Sequence, residues 1–357
     1  MLTYWVVFVF FAWMALSHAR PIPAGIKTPP NFQWKLTFIA LSLFIGLRYE
    51  VGADWFGYIS IFENAEQESL LGYLGFTDPM YALLNWTAAH LGANIYIVNI
   101  VCAILFTWGL LVFCRQQPRP WLALLVAIPY LLIVVAMGYQ RQGVAIGLSM
   151  IGLVALERGQ IWRFLFWVAL ASTFHKSSVI LVPFAALISS NNRLLTGIVV
   201  VIIALLLFLL LIRESLDLMV HTFIYSEYES SGAAFRVSMN AIPALFFLMR
   251  SKNFNISSKQ INFWTYMSYM SLSFIVFLMI SPSTAAVDRV ALYCIPLQLF
   301  VFSHLPDAIA TPRSRNAFWV FAIITYSASV LFIWLLFSNH AFAWIPYQFY
   351  PWVWLWQ

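Results

Sequence analysis

The stretch "PMYALLNWTAAHLG", residues 79–92, decides how the chain is threaded, because it is apolar enough to enter a membrane and too short to cross one. A straight transmembrane helix needs about 20 apolar residues. This run opens on a proline, closes on a glycine and stops well before that length, so a re-entrant or interfacial helix is expected.

The surrounding chain is plainly of membrane type. Its 357 residues are 62% hydrophobic, 18% aromatic and only 9% charged, with mean hydropathy +0.84. Soluble domains are about half apolar and a quarter charged. The expected fold is therefore an all-α polytopic integral membrane protein, with residues 1–357 forming one transmembrane domain. Apolar runs lie at 1–18, 33–48, 94–114, 120–138, 141–157, 161–174, 176–190, 194–212, 236–250, 262–280, 288–305 and 317–337. They predict about 12 crossings (11–14), several of them short. The opening "MLTYWVVFVFFAWMALS" has no charged leader and no small-residue cleavage site, so it is read as a retained first span with nothing before it. Cys102, Cys114 and Cys294 have neither metal-ligand spacing nor a disulfide pattern.

With residues 79–92 kept on one side, the loops sort by charge. One side collects 13 of the 19 basic residues, among them Arg20, Lys35, Arg115, Arg119, Arg158 and Arg315, and of the 13 acids only Glu157 and Asp307. The positive-inside rule assigns that side to the cytoplasm and both termini to the outside. A crossing at 79–92 would scramble the pattern from Arg115 onward. Scattered between apolar runs, the net charge of +6 is a topology signal and excludes nucleic acid as a partner.

The outer side keeps six bases, Arg48, Arg141, Lys176, Arg213, Arg236 and Arg289, most of them at the ends of apolar runs. An arginine in the membrane interface snorkels, pairs with an acid such as Asp54 or Asp288, or binds an anion. Arg141, Lys176, Arg236 and Arg289 also begin predicted helices, whose N-termini attract negative charge. Together they predict a site for a shared anionic ligand.

The polar residues at these ends form compact groups. Gly52, Asp54 and Tyr58 in "GADWFGY", Arg141 with Gln142 and Ala145, His175 with Ser177 and Ser178, and Arg289 with Tyr293 follow one another in order. Over about residues 46–300 this pattern resembles the EpsG-like branch of the Wzy bacterial polysaccharide polymerases. The resemblance implies a GT-C-like glycosyltransferase architecture in the bacterial inner membrane. It implies undecaprenyl diphosphate-linked oligosaccharides as donor and acceptor, met at the periplasmic face among membrane lipids, with a chain-length regulator and a flippase as partners.

Given that donor, an acceptor hydroxyl attacks the anomeric carbon while a diphosphate leaves. Guanidinium forks suit the departing charge, which assigns diphosphate binding to Arg48, Arg141, Arg236, Arg289 and Lys176. The general base is either His175 or Asp54, both able to titrate usefully; Arg141 and Arg289 complete the catalytic set. Trp55, Tyr58, Gln142 and Tyr293 are the glycan contacts, under outer loops at 49–78 and 213–235. Glu63, Glu66 and Glu68 read as a solvated acidic loop, and no acidic pair has metal-ligand spacing, so neither metal nor cofactor is expected. An O-antigen ligase would share these residues and differ in acceptor. A flippase would need polar residues through the midplane, where the spans are apolar.

Overall fold

Asn31, Asn94 and Ser257 each stop the chain before an apolar run and start a helix. Their side-chain oxygens accept from the backbone N–H of Trp34 (3.2 Å), Tyr96 (3.2 Å) and Gln260 (3.3 Å), donors that a helix start otherwise leaves without partners. A computed structural model describes residues 1–23, 31–188, 193–207, 209, 232–311 and 314–355. In order these form α1 (Leu2–Ser17), α2 (Phe32–Gly46), α3 (Trp55–Gln67), α4 (Leu70–Tyr73), α5 (Pro79–His90), α6 (Ile95–Cys114) and α7 (Pro120–Ala127), which continues as a π-helical segment, Ile128–Ala136. There follow α8 (Gln140–Glu157), α9 (Ile161–Phe174), a 3-10 turn (Lys176–Leu181), α10 (Phe184–Ile188), α11 (Arg193–Leu207), α12 (Ala233–Arg250), α13 (Ser258–Ile280), α14 (Thr284–Ala291), α15 (Ile295–Ile309), α16 (Ala317–Phe337) and α17 (Tyr350–Leu355). Among the described residues the only β feature is one antiparallel bridge, Arg48 with Phe349.

Among the described residues, four helices are long and apolar enough to cross a membrane: Ile95–Cys114, Ser258–Ile280, the continuous Thr284–Ile309 and Ala317–Phe337. Shorter apolar helices, including Leu2–Ser17, Phe32–Gly46, Pro120–Ala136 and Ile161–Phe174, lie among them. The twelve apolar runs of the sequence thus become a few full-length rods and a larger set of short ones. The run at 176–190 does not form one rod: it begins as a 3-10 turn and resumes as the short α10. Within residues 79–92 the helix Pro79–His90 has 12 residues, about 18 Å at 1.5 Å per residue and well short of a bilayer core of about 30 Å. The segment 49–78, expected as a loop, is largely helical as α3 and α4. Most of the other expected outer loop, 213–235, lies outside the described residues.

Helix α8 occupies the middle. Nearly its whole length is buried, glutamines included, because small residues let its neighbours close in. A Cβ on Gly109 of α6 would stand 1.9 Å from the carbonyl oxygen of Gly147 on α8, so that crossing exists only between glycines. Phe106, Gly109 and Gly147 draw α6 against α8; Gly152 receives Phe164 and Trp167 of α9.

Contacts between distant loops sort the helix ends into two groups. At one end, Ile22 N–H donates to Pro118 O (2.7 Å), Arg315 reaches Leu16 O (3.2 Å), Arg158 reaches Gln116 (2.6 Å) and Asn253 reaches Ala308 O (3.1 Å). At the other, Tyr4 donates to Trp344 O (2.7 Å), Tyr49 N–H to Gln348 O (3.0 Å) and Gly52 N–H to Ala343 O (2.8 Å), while Tyr350 stacks on Tyr96 at 3.6 Å. The first group holds the residues that the charge pattern placed on the basic side, and the second those on the acidic side. The C-terminal stretch 338–350 is strapped across the second end.

Candidate functional site

Arg141 stands in the first turn of α8, raised to the bundle's end by the turn that follows the π-helical segment. Its Nη1 donates to Thr77 Oγ1 (2.8 Å) and to Asp78 Oδ2 (2.9 Å). Asp78 is the N-cap of α5, immediately before Pro79, so the start of the short helix delivers a carboxylate to the start of the central one. The guanidinium also lies over the Tyr81 ring, 6.0 Å from its centroid.

His175 meets the same carboxylate from the opposite side. It ends α9 in an extended conformation, φ −159° and ψ 116°, which breaks the helix and turns the imidazole toward α5. Its Nδ1 is 3.6 Å from Asp78 Oδ2. Burial opposes charge on Asp78, but His175, Arg141 and Lys176 together outweigh it and hold the carboxyl below the usual carboxylate range.

Across the end, Gln142 donates to the backbone oxygen of Arg289 and Asn240 to Ala291 O (2.9 Å), tying α14 to α8 and α12. Arg289 is exposed. It is the main positive neighbour of Asp54, whose carboxyl is nevertheless pushed above the usual range, because burial prevails over Arg289, Arg141 and His340. Asp54 and Asp78 thus have Arg141 in common as a neighbour, yet are displaced in opposite directions. That split gives one a proton-accepting character and leaves the other ionised.

The remaining predicted residues are committed elsewhere. Arg48 is 1% exposed and donates to Val51 O (3.1 Å), Ile45 O (2.8 Å) and Gln140 Oε1 (2.7 Å). It therefore holds the loop into α3 and does not reach the open end. Asp54, read from sequence as a partner that orients Arg48, sits instead in the field of Arg289 and Arg141. Arg236 grips Asp288 through two nitrogens, Nε to Oδ1 (2.9 Å) and Nη2 to Oδ2 (2.7 Å). Trp55, Tyr58, Gln142 and Tyr293 are all buried, so they form walls around the site and not open faces for stacking sugars. Tyr293 accepts from Ser177 (3.4 Å), joining the 3-10 turn after α9 to the residues between α14 and α15.

Asp78, the residue around which the site is built, is absent from the sequence-derived set. Its signal was present: an acid directly before a proline that opens a helix is an N-cap pattern. Reading 79–92 as a re-entrant or interfacial helix fixes where that helix lies and leaves open what the acid at its start meets.

The family model described as the EpsG family matches residues 31–349. No curated protein and no solved structure matches the chain.

Proposed function

Because the chain belongs to the EpsG family, we propose that it is a Wzy-type polysaccharide polymerase, moving a glycan from undecaprenyl diphosphate to the hydroxyl of a second lipid-linked repeat unit. The acceptor oxygen bonds to the anomeric carbon, the bond from that carbon to the diphosphate oxygen breaks, and the hydroxyl proton passes to a base on the protein. Negative charge gathers on the diphosphate as it leaves. Donors held in place before the reaction, strengthening with that charge, are the interactions that lower the barrier.

The observation that carries this reading is the state of Arg141. One nitrogen is pinned by Thr77 and Asp78, while the side chain keeps 32% of its surface. It is an oriented guanidinium at an open end, which exposed Arg289 and half-buried Lys176 share, and suits a bidentate hold on phosphate oxygens. Asp54, made more basic by its surroundings, takes the proton in this reading. Asp78 at 3.6 Å favours a second assignment in which it orients His175 and the imidazole is the base. Arg48 and Arg236 act as positioning residues. The steps route through side chains alone, so polymerisation should survive chelation of divalent metals.

The threading behind this reading has about 12 crossings in a GT-C-like arrangement. The chain would lie in the bacterial inner membrane with the acidic end, both termini and the site on the periplasmic side. The sorting of basic and acidic loops into two contact groups supports it. A cysteine at Asn64 or Pro282 should be labelled from outside, and one at Gln116 or Asn255 should not. Labelling at Asn255 would reverse the orientation.

The function is tested by analysing lipid-linked glycans in a strain lacking the chain. A polymerase deletion leaves single repeat units on the final acceptor. Accumulation of full-length polymer on undecaprenyl diphosphate would mark a ligase, and retention of single units inside would mark a flippase; either overturns the proposal.

A further inference from the structure

The C-terminal strap enters the bundle through one side chain. Trp344 lies outside every helix and is still only 1% exposed. Its indole N–H donates to Ile133 O (2.8 Å) in the π-helical segment, its own carbonyl accepts from Tyr4 (2.7 Å), and the Trp334 ring packs edge-on at 4.8 Å. A buried indole is stable where its nitrogen finds such an acceptor.

Two glycines make room for the ring. A Cβ on Gly138 would stand 2.4 Å from Cζ2 of Trp344, so a larger residue there must displace the ring. Gly52 packs on the same backbone. Its φ of +114° is one that side chains rarely adopt, and a Cβ would lie 2.6 Å from Met137 O and 3.2 Å from the Cα of Gly138. The Gly52 N–H donates to Ala343 O (2.8 Å), the residue before Trp344. Three distant segments therefore close on one point. One of them leads directly into Asp54 and another into Arg141.

We propose that Trp344 is a positioning residue of the site: wedged into this joint, it fixes the segment that carries Asp54 against the start of α8 that carries Arg141. A proton acceptor and a phosphate clamp must meet one substrate together, and a misplacement of about 1 Å can lower a rate about 10²-fold. The strap thereby belongs to the frame of the site. The roles of Asp54 and Arg141 rest on the polymerase reading, whereas the joint itself does not.

The joint is tested first without any reaction. Spin labels on cysteines at exposed Ala53 and Pro282, read by pulsed electron paramagnetic resonance on the full chain in detergent, should give one narrow distance distribution. Trp344→Phe removes the indole nitrogen and thins the wedge, and Gly138→Ala pushes the ring out; each should broaden that distribution. Because both act on one contact, the double variant should broaden it no more than the larger single change. Trp264→Phe trims a fully buried tryptophan at the basic end, where the indole donates to Glu157 (2.9 Å). It should lower the melting temperature and leave the distances narrow.

Polymerisation supplies the second readout. Burial raises the Asp54 carboxyl against Arg289, Arg141 and His340, the last carried by the strap and the smallest of the three, with Tyr58 and Tyr139 also facing it. A loosened joint admits water, so the acid limb of the activity profile should move about one pH unit lower in Trp344→Phe. A loss of folded protein alone would lower the amplitude and leave the limb in place. Narrow distances in both joint variants, equal broadening by Trp264→Phe, or broadening with an unmoved limb that Asp54→Asn abolishes would overturn the proposal. A limb that survives Asp54→Asn would count against Asp54 as the base, and the distances would then decide on the joint by themselves.

Discussion

The two ends of the bundle each hold an arginine on an aspartate, and the two pairs are built differently. At the basic end Arg119 is 1% exposed. It donates to both oxygens of Asp307 (2.9 and 2.8 Å), to Ala19 O (2.9 Å), to Ser314 O (3.1 Å) and to Ser303 O (3.4 Å). Every nitrogen of that guanidinium is spoken for, and the pair ties the ends of α1, α7, α15 and the start of α16 together. At the acidic end Arg141 donates through Nη1 to Thr77 and Asp78 and also meets Tyr58, yet a third of the side chain stays open. The same two residue types therefore serve as a rivet at one end and as an aimed, accessible charge at the other. What separates the roles is how many donors the protein itself consumes.

That contrast can be broken at four places. The largest effect should come from Asp54→Asn, which keeps the shape but removes the basicity. If Asp54 is the base, turnover falls about 10³-fold, the middle of the range for general-base catalysis, with melting temperature little changed. The pH profile gives the sign. The base must be ionised, so activity is lost as pH falls through its folded pKa. Since burial raises that pKa, the acid limb should lie above the ordinary carboxylate position of about 3.9. Retention of the limb in Asp54→Asn and its disappearance in His175→Gln would transfer the role to the imidazole.

Arg119→Met should be next, at about 3 kcal/mol of stability. It leaves Asp307 half-buried without its cation, and the 22% exposure of Asp307 keeps the loss at the low end of that range. Thermal melting in detergent should fall by several degrees, while polymerisation per folded molecule stays near normal at low temperature. A selective loss of activity without a melting shift would erase the distinction between the ends.

Arg141→Lys keeps the charge and loses the fork, so polymerisation should fall about 10²-fold, the effect of removing one preorganised donor. Unaltered polymer length and rate at matched expression would reduce Arg141 to a second rivet. The smallest effect belongs to Arg158→Gln. This side chain is on the surface at the basic end and reaches only Gln116, so stability should change by no more than about 0.5 kcal/mol.

Asp78 sharpens the comparison through stability as a function of pH. Its carboxyl is held below its usual range in the folded chain. It contributes stability above about pH 4 that is lost as pH falls through the folded pKa. Asp78→Asn should flatten that limb of the melting profile and also release Arg141 and His175, lowering polymerisation even where the protein stays folded.

The sequence alone determined that the chain is a helical membrane protein, which loops share an end, and that Asp54, Arg141, His175 and Arg289 belong to one of those ends. These are properties of hydropathy and charge, carried by each residue wherever its neighbours lie. Only the tertiary structure decided what each charge does there. Arg141 meets Asp78 across 63 positions and Arg48 meets Gln140 across 92, and no local pattern states which helix ends will abut. Arg48 and Arg141 look alike as arginines near the ends of apolar runs. One is consumed by its own loop and the central helix, and the other is held on one side by Thr77, Asp78 and Tyr58 and keeps a third of its surface open. The physical reason is that a guanidinium's availability is set by the acceptors that surround it, and those are delivered by packing. The glycine contacts that draw α6 and α9 against α8 bring the ends of α5, α9 and α14 around its first turn, and there the buried carboxylate of Asp78 turns separate charges into a site.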